Sequence, residues 1–166
     1  MTSIYECPRR IERVLRSLAR NVATAASARA IAADVGGVDG PIDYHTVLDY
    51  HNALSRVFVI EDLPAWSPAL RSRMALRTAA TRHFVDPSLA AAALGASPER
   101  LLQDVKTLGL LFESLVVRDL RIYGQAIDAR VFHYRDESGL EADAVVELPD
   151  GRRAAFEIKL GQASVE

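Results

Sequence analysis

Little in this chain allows it to be cross-linked, inserted into a membrane or driven by nucleotide. Cys7 is the single cysteine among 166 residues, so no internal disulfide can form and a reducing cytoplasm is the expected compartment. No apolar run approaches the ~20 residues of a membrane span, and the N-terminus has no signal-peptide core, so no membrane partner is expected. The glycines nowhere form the Gly-x-x-x-x-Gly-Lys-Ser/Thr loop that cradles phosphates, which excludes a P-loop ATPase and its nucleotide. Lysine is almost missing too: Lys106 and Lys159 stand alone, and every other base is an arginine. A net charge of −2 gives the molecule as a whole no attraction for nucleic acid or membrane.

The composition that remains is globular, 49% hydrophobic and 25% charged, with length for one ordinary domain or two very small ones. Charge divides unevenly along it. Through His83, 11 arginines meet 8 acids, a net of +3; from Phe84 onward 9 bases meet 14 acids, a net of −5. Nucleic-acid contact is therefore expected in the first half and a cation site in the second.

In the first half, Ile11, Val14, Leu15, Leu18 and Val22 recur at helical spacing after Pro8. Ser27 caps a second helix over 28–35, which Gly36-Gly37 stops. Asp43 or Thr46 caps a third, with Val47, Tyr50, Leu54 and Val57 on its inner face. Phe58-Val59-Ile60 and Arg82-His83-Phe84-Val85 read as short strands, with Pro64-Ala65-Trp66-Ser67-Pro68 a break between them. Three helices and a two-stranded ribbon follow the order of a winged helix, assigned to residues 1–85. Such a fold presents His45, Asn52 and Arg56 from the third helix, and Arg71, Arg73 and Arg77 from the ribbon, to duplex DNA. Asp49 on the same helix face opposes that role, and a protein-docking surface is the other reading.

Residues 86–166 read as an α/β unit. Asp86-Pro87-Ser88 and Ser97-Pro98-Glu99 open short helices. A long helix over 107–123 is apolar nearly all round and so central, with Glu113 at the edge of its apolar arc. Strands follow at 130–135, 140–148 and 152–160, separated by Glu137-Ser138-Gly139 and Pro149-Asp150-Gly151 turns. Matching the apolar faces of the last two sets Leu148 against Arg152, Glu147 against Arg153, Glu141 against Lys159, and Asp143 against Glu157. The same logic at the first turn sets His133 against Asp143 and Arg135 against Glu141. Like charges across a sheet call for a proton or a cation between them. Mg²⁺ or Mn²⁺ is satisfied by one or two carboxylates plus water, so Asp143 and Glu157 are the expected metal ligands. Lys159 is the expected stabiliser of developing charge, and Glu113 an auxiliary carboxylate. Ordinary cross-strand ion pairs account for part of the same pattern.

The segments Leu63-Pro64-Ala65-Trp66, Asp86-Pro87-Ser88-Leu89-Ala90, Leu108 to Glu113, Tyr134-Arg135, Gly139 to Asp143 and Phe156-Glu157-Ile158-Lys159-Leu160-Gly161 occur in an order that resembles the C-terminal portion of prokaryotic AAA+-type ATPases, a domain of unknown function. The resemblance covers essentially the whole chain. It implies a winged helix followed by a restriction-endonuclease-like fold of the PD-(D/E)xK type, with Glu113, Asp143, Glu157 and Lys159 as the catalytic set. The ATPase module itself is missing, and the nuclease-like core ends soon after its Glu-x-Lys strand. A fragment, or a partner such as an ATPase module that covers the third strand, is the corresponding expectation. Two functions stand open: a DNA-associated, Mg²⁺- or Mn²⁺-dependent phosphodiesterase, and a non-catalytic protein- or DNA-binding regulatory module.

Overall fold

The computed structural model describes residues 6–36, 42–68 and 78–161. Among these the chain is α+β, with helices α1 (Glu6–Arg20), α2 (Ala28–Val35) and α3 (Tyr44–Arg56), strands β1 (Ile60–Leu63) and β2 (Thr81–Phe84), helices α4 (Pro87–Leu94), α5 (Pro98–Gln103) and α6 (Val105–Gln125), and strands β3 (Arg130–Arg135), β4 (Glu141–Glu147) and β5 (Arg153–Phe156). Two antiparallel sheets result, β1-β2 and β3-β4-β5. No helix of the described residues is long and apolar enough to cross a membrane.

The helices start where their caps are. Ser27 accepts from the Ala30 amide at 3.1 Å, and Asp43, rather than Thr46, accepts from His45 N–H at 2.7 Å. Asp86 takes the Ser88 amide at 2.8 Å. Each satisfies one of the amide donors a helix leaves open in its first turn. Val14, Leu18 and Val22 are buried as the periodicity predicts, with Ile31, Val35, Val47 and Leu54, in a core that also takes in Ala90 of α4 and Leu111 of α6. A second cluster joins Leu63, Val117, Val131 and Ala144, with Leu120, Val146 and Ile158 against it.

Several local expectations are corrected. Val57 is 65% exposed and Phe58 79% exposed. Phe58 is not a strand residue, because the chain leaves α3 through a left-handed turn with Phe58 at φ 56°; its amide bonds Ser55 O, and the Val59 amide bonds Leu54 O. The Pro64-Ala65-Trp66 break is also a piece of sheet. Ala65 bridges His133 in parallel, the His133 amide donates to Pro64 O at 3.0 Å, and the Trp66 amide donates to His133 O at 2.6 Å. The ladder of β4 and β5 has the predicted register, Ala144 against Phe156 and Glu147 against Arg153, with the Leu148 amide bonded to Arg152 O. It ends at Phe156, however, four residues short of the predicted strand end.

Candidate functional site

The expected site lies where β3, β4 and α6 meet. Pairing of β3 with β4 shifts register between Phe132 and Tyr134, so His133 faces both Asp143 and Ala144. The extra residue in β4 is a β-bulge, a device that re-aims side chains and terminates pairing. Arg135 does oppose Glu141, with an ion pair of 3.7 Å. His133 does not pair with Asp143: its Nε2 lies 3.1 Å from the Ala79 carbonyl, and burial holds the ring below the ordinary imidazole pKa.

The face-to-face pair of Asp143 and Glu157 is not formed. Asp143 instead accepts the Ile158 amide on Oδ2 at 2.6 Å, a charge-assisted bond that draws the chain off the ladder after Phe156. Glu157 turns to Lys159, with Oε1 3.1 Å from Nζ and a side chain 63% exposed. Glu141 is the partner of Arg135 and not of Lys159.

Glu113, Asp143, Glu157 and Lys159 are nevertheless brought together electrostatically. Glu113 projects from α6 and is pushed up to about 8, first by burial and then by the Asp143 charge, with Glu141 adding to the rise and Lys159 opposing it. Lys159 is held above the ordinary lysine value by its bond to Glu157 and by the charges of Asp143, Glu157 and Glu113. A carboxyl raised this far is short of positive charge. That is the environment in which an oxygen-seeking divalent cation fits. Asp143 Oδ1 and the Glu113 carboxyl are the donors that suit it; Glu157 is engaged elsewhere. Among the described residues no three His, Cys, Asp or Glu side chains are gathered into a ready cage.

Glu113 and Asp143 line one cleft of about 420 Å³, whose other walls include Thr24, Thr81, Tyr134 and Arg135. The threonines come from the first half of the chain and carried no local signal in the sequence. Behind the cleft lies a second polar group that sequence reasoning missed. His83, 1% exposed, has Nδ1 3.2 Å from Ser114 Oγ and Nε2 3.1 Å from Thr81 Oγ1. Burial, then the charges of Arg121 and His133, lower it to about 3, so it is neutral at physiological pH. An apolar-looking helix face interrupted by Ser114 was the available hint.

On α3, His45, Asp49, Asn52 and Arg56 all lie exposed, as expected of its outer face. Arg71, Arg73 and Arg77 fall outside the described residues.

No curated protein and no solved structure matches this chain. Residues 108–166, which hold Glu113, Asp143, Glu157 and Lys159, match the domain of unknown function DUF4143. Residues 4–100, more than half of the sequence, match the domain of unknown function DUF8612, and the chain belongs to that family.

Proposed function

We propose that the chain is a nucleic-acid-associated module of the AAA-type ATPase world with a divalent-cation-dependent phosphodiesterase site between α6 and β4. DUF4143 is commonly a C-terminal domain of such ATPases, which supports the setting. The observation that carries the chemistry is Glu113, raised to about 8 beside Asp143 with Lys159 in range of both. Asp143 and Glu113 would hold Mg²⁺ or Mn²⁺, and Glu157 would be a third ligand only by giving up its bond to Lys159. A bound cation of this kind lowers the pKa of water and neutralises charge on phosphoryl oxygens. Glu113, protonated near neutral pH while the cation is absent, would give up that proton on taking it. Lys159 then offsets charge that develops on the phosphoryl group. His45, Asn52 and Arg56 of α3 offer contacts to a duplex.

Calorimetric Mn²⁺ titration of the wild type and of Asp143→Ala is the test, followed by plasmid nicking. Binding heat in the wild type that disappears in the variant supports the site; absence of heat in both refutes it. Retention of full nicking activity by Lys159→Arg would refute the role of the lysine.

A non-catalytic docking module is the second reading. The bonds of Asp143 to the Ile158 amide and of Lys159 to Glu157 favour it, since each already satisfies a group the chemistry needs. The exposed edge strand β5 then receives the partner.

A further inference from the structure

Helix α1 carries arginines at positions 9, 13, 16 and 20. At 100° per residue these steps keep all four within a sector of roughly 60°, on the side of the helix away from buried Val14 and Leu18. Two of the four are fixed against the last turn of α2, where Arg13 donates to the Val35 carbonyl and Arg20 lies 2.6 Å from Asp34. Arg9 and Arg16 are exposed and form no ion pair with a described acid. Across from them α5 contributes Arg100, so that Arg16, Arg20 and Arg100 border a groove of about 470 Å³. Asp104 also borders it. That carboxylate already caps α6, accepting the Thr107 amide at 3.1 Å and the Thr107 hydroxyl at 2.7 Å.

We infer that this groove and the exposed arginines of α1 form a track for the sugar–phosphate backbone of a nucleic-acid duplex. The inference deepens the nucleic-acid reading given above and is independent of hydrolysis. Arginine is the base that grips phosphate with a two-pronged fork, which a lysine cannot. The stripe runs about 16 Å along the helix axis, enough to lie beside a few phosphates of one strand, whose charges rise by about 3.4 Å each along the duplex axis. A protein partner fits less well, because the arginines that protein interfaces favour sit there among aromatic and apolar anchors. Here the charges line the groove and no aromatic does. The exposed face of α3 is weaker as a backbone site, since it sets Arg56 against Asp49.

Fluorescence anisotropy with a short labelled duplex, in EDTA, tests the track. In Arg9→Gln/Arg16→Gln/Arg100→Gln, affinity near 0.1 M salt should fall tenfold or more. The slope of log affinity against log salt should flatten by about two to three, at about 0.9 for each phosphate that the variant no longer neutralises. Arg152→Gln, whose side chain is taken by Asp150, should bind as the wild type does. Unchanged affinity and slope in the triple variant would overturn the inference, as would failure of the wild type to hold duplex at low salt. Displacement of the duplex by polyglutamate at equal charge concentration would assign the track to an acidic protein instead. Because chelator is present throughout, a failed Mn²⁺ titration leaves the result standing.

Discussion

Replacing Glu113 by glutamine keeps the shape of the side chain and removes its ionisation. The carboxyl sits at about 8 in the folded chain against an ordinary value of 4.5, chiefly through burial and then through Asp143. A carboxyl whose pKa is raised on folding opposes folding once the unfolded chain releases its proton. The opposition begins near pH 4.5, grows by about 1.4 kcal/mol per pH unit, and is complete above about pH 8. From those two values the penalty is about 3 kcal/mol at pH 7 and up to about 5 kcal/mol at pH 9. Glu113→Gln should therefore match the wild type to within about 1 kcal/mol at pH 5 and exceed it in stability by several kcal/mol at pH 9. Urea unfolding of both proteins at pH 5, 7 and 9, in chelator, reads this, and the difference between them cancels the titration of every group except Asp143, Glu141 and Lys159, which interact with Glu113. A stability difference that does not change with pH would refute the placement of Glu113 in a dry, anion-rich wall. Saturating Mn²⁺ should shrink the wild-type penalty at pH 9 and leave the variant unmoved.

Two further outcomes can be checked. His83, lowered from 6.5 to about 3 mainly by burial, should make stability full above pH 6.5 and falling as pH drops toward 3, with up to about 5 kcal/mol at stake. An NMR titration that finds its ring protonated at pH 5 in the folded chain would contradict this. Phe58→Gly should raise the melting temperature by a few degrees, because the left-handed backbone at φ 56° costs a non-glycine residue about 1 kcal/mol and an exposed ring gives little back. A lower melting temperature would mean that the ring packs more than its 79% exposure indicates.

The parts of this fold that could be read in the sequence are those decided locally. Ser27, Asp43, Asp86 and Ser97 cap helices because their side chains reach amides two or three residues on. The β4–β5 register was legible because the apolar faces and a short turn leave one alignment. What was not legible depends on one side chain competing with the backbone. The Asp143 carboxylate captures the Ile158 amide, and no alternation of residues announces that a strand will stop there. The bulge opposite His133 and the bridge from His133 to Ala65 are likewise set by pairing across a sequence distance that periodicity does not see. For the candidate site the sequence nominates Glu113, Asp143, Glu157 and Lys159 but does not show their pairings: Lys159 went to its neighbour Glu157 and Glu141 to Arg135.

Helix α6 gives Leu111 to one core and Val117 to the other, some 9 Å apart along its axis, and β1 divides Ile60 and Leu63 in the same way. The segments matched by the two families therefore do not coincide with two separable bodies. Leu111, matched with the second family, fills a hole in the packing of the first. Recombination that joined either segment to a new neighbour would have to re-cut the surface where α6 meets α4.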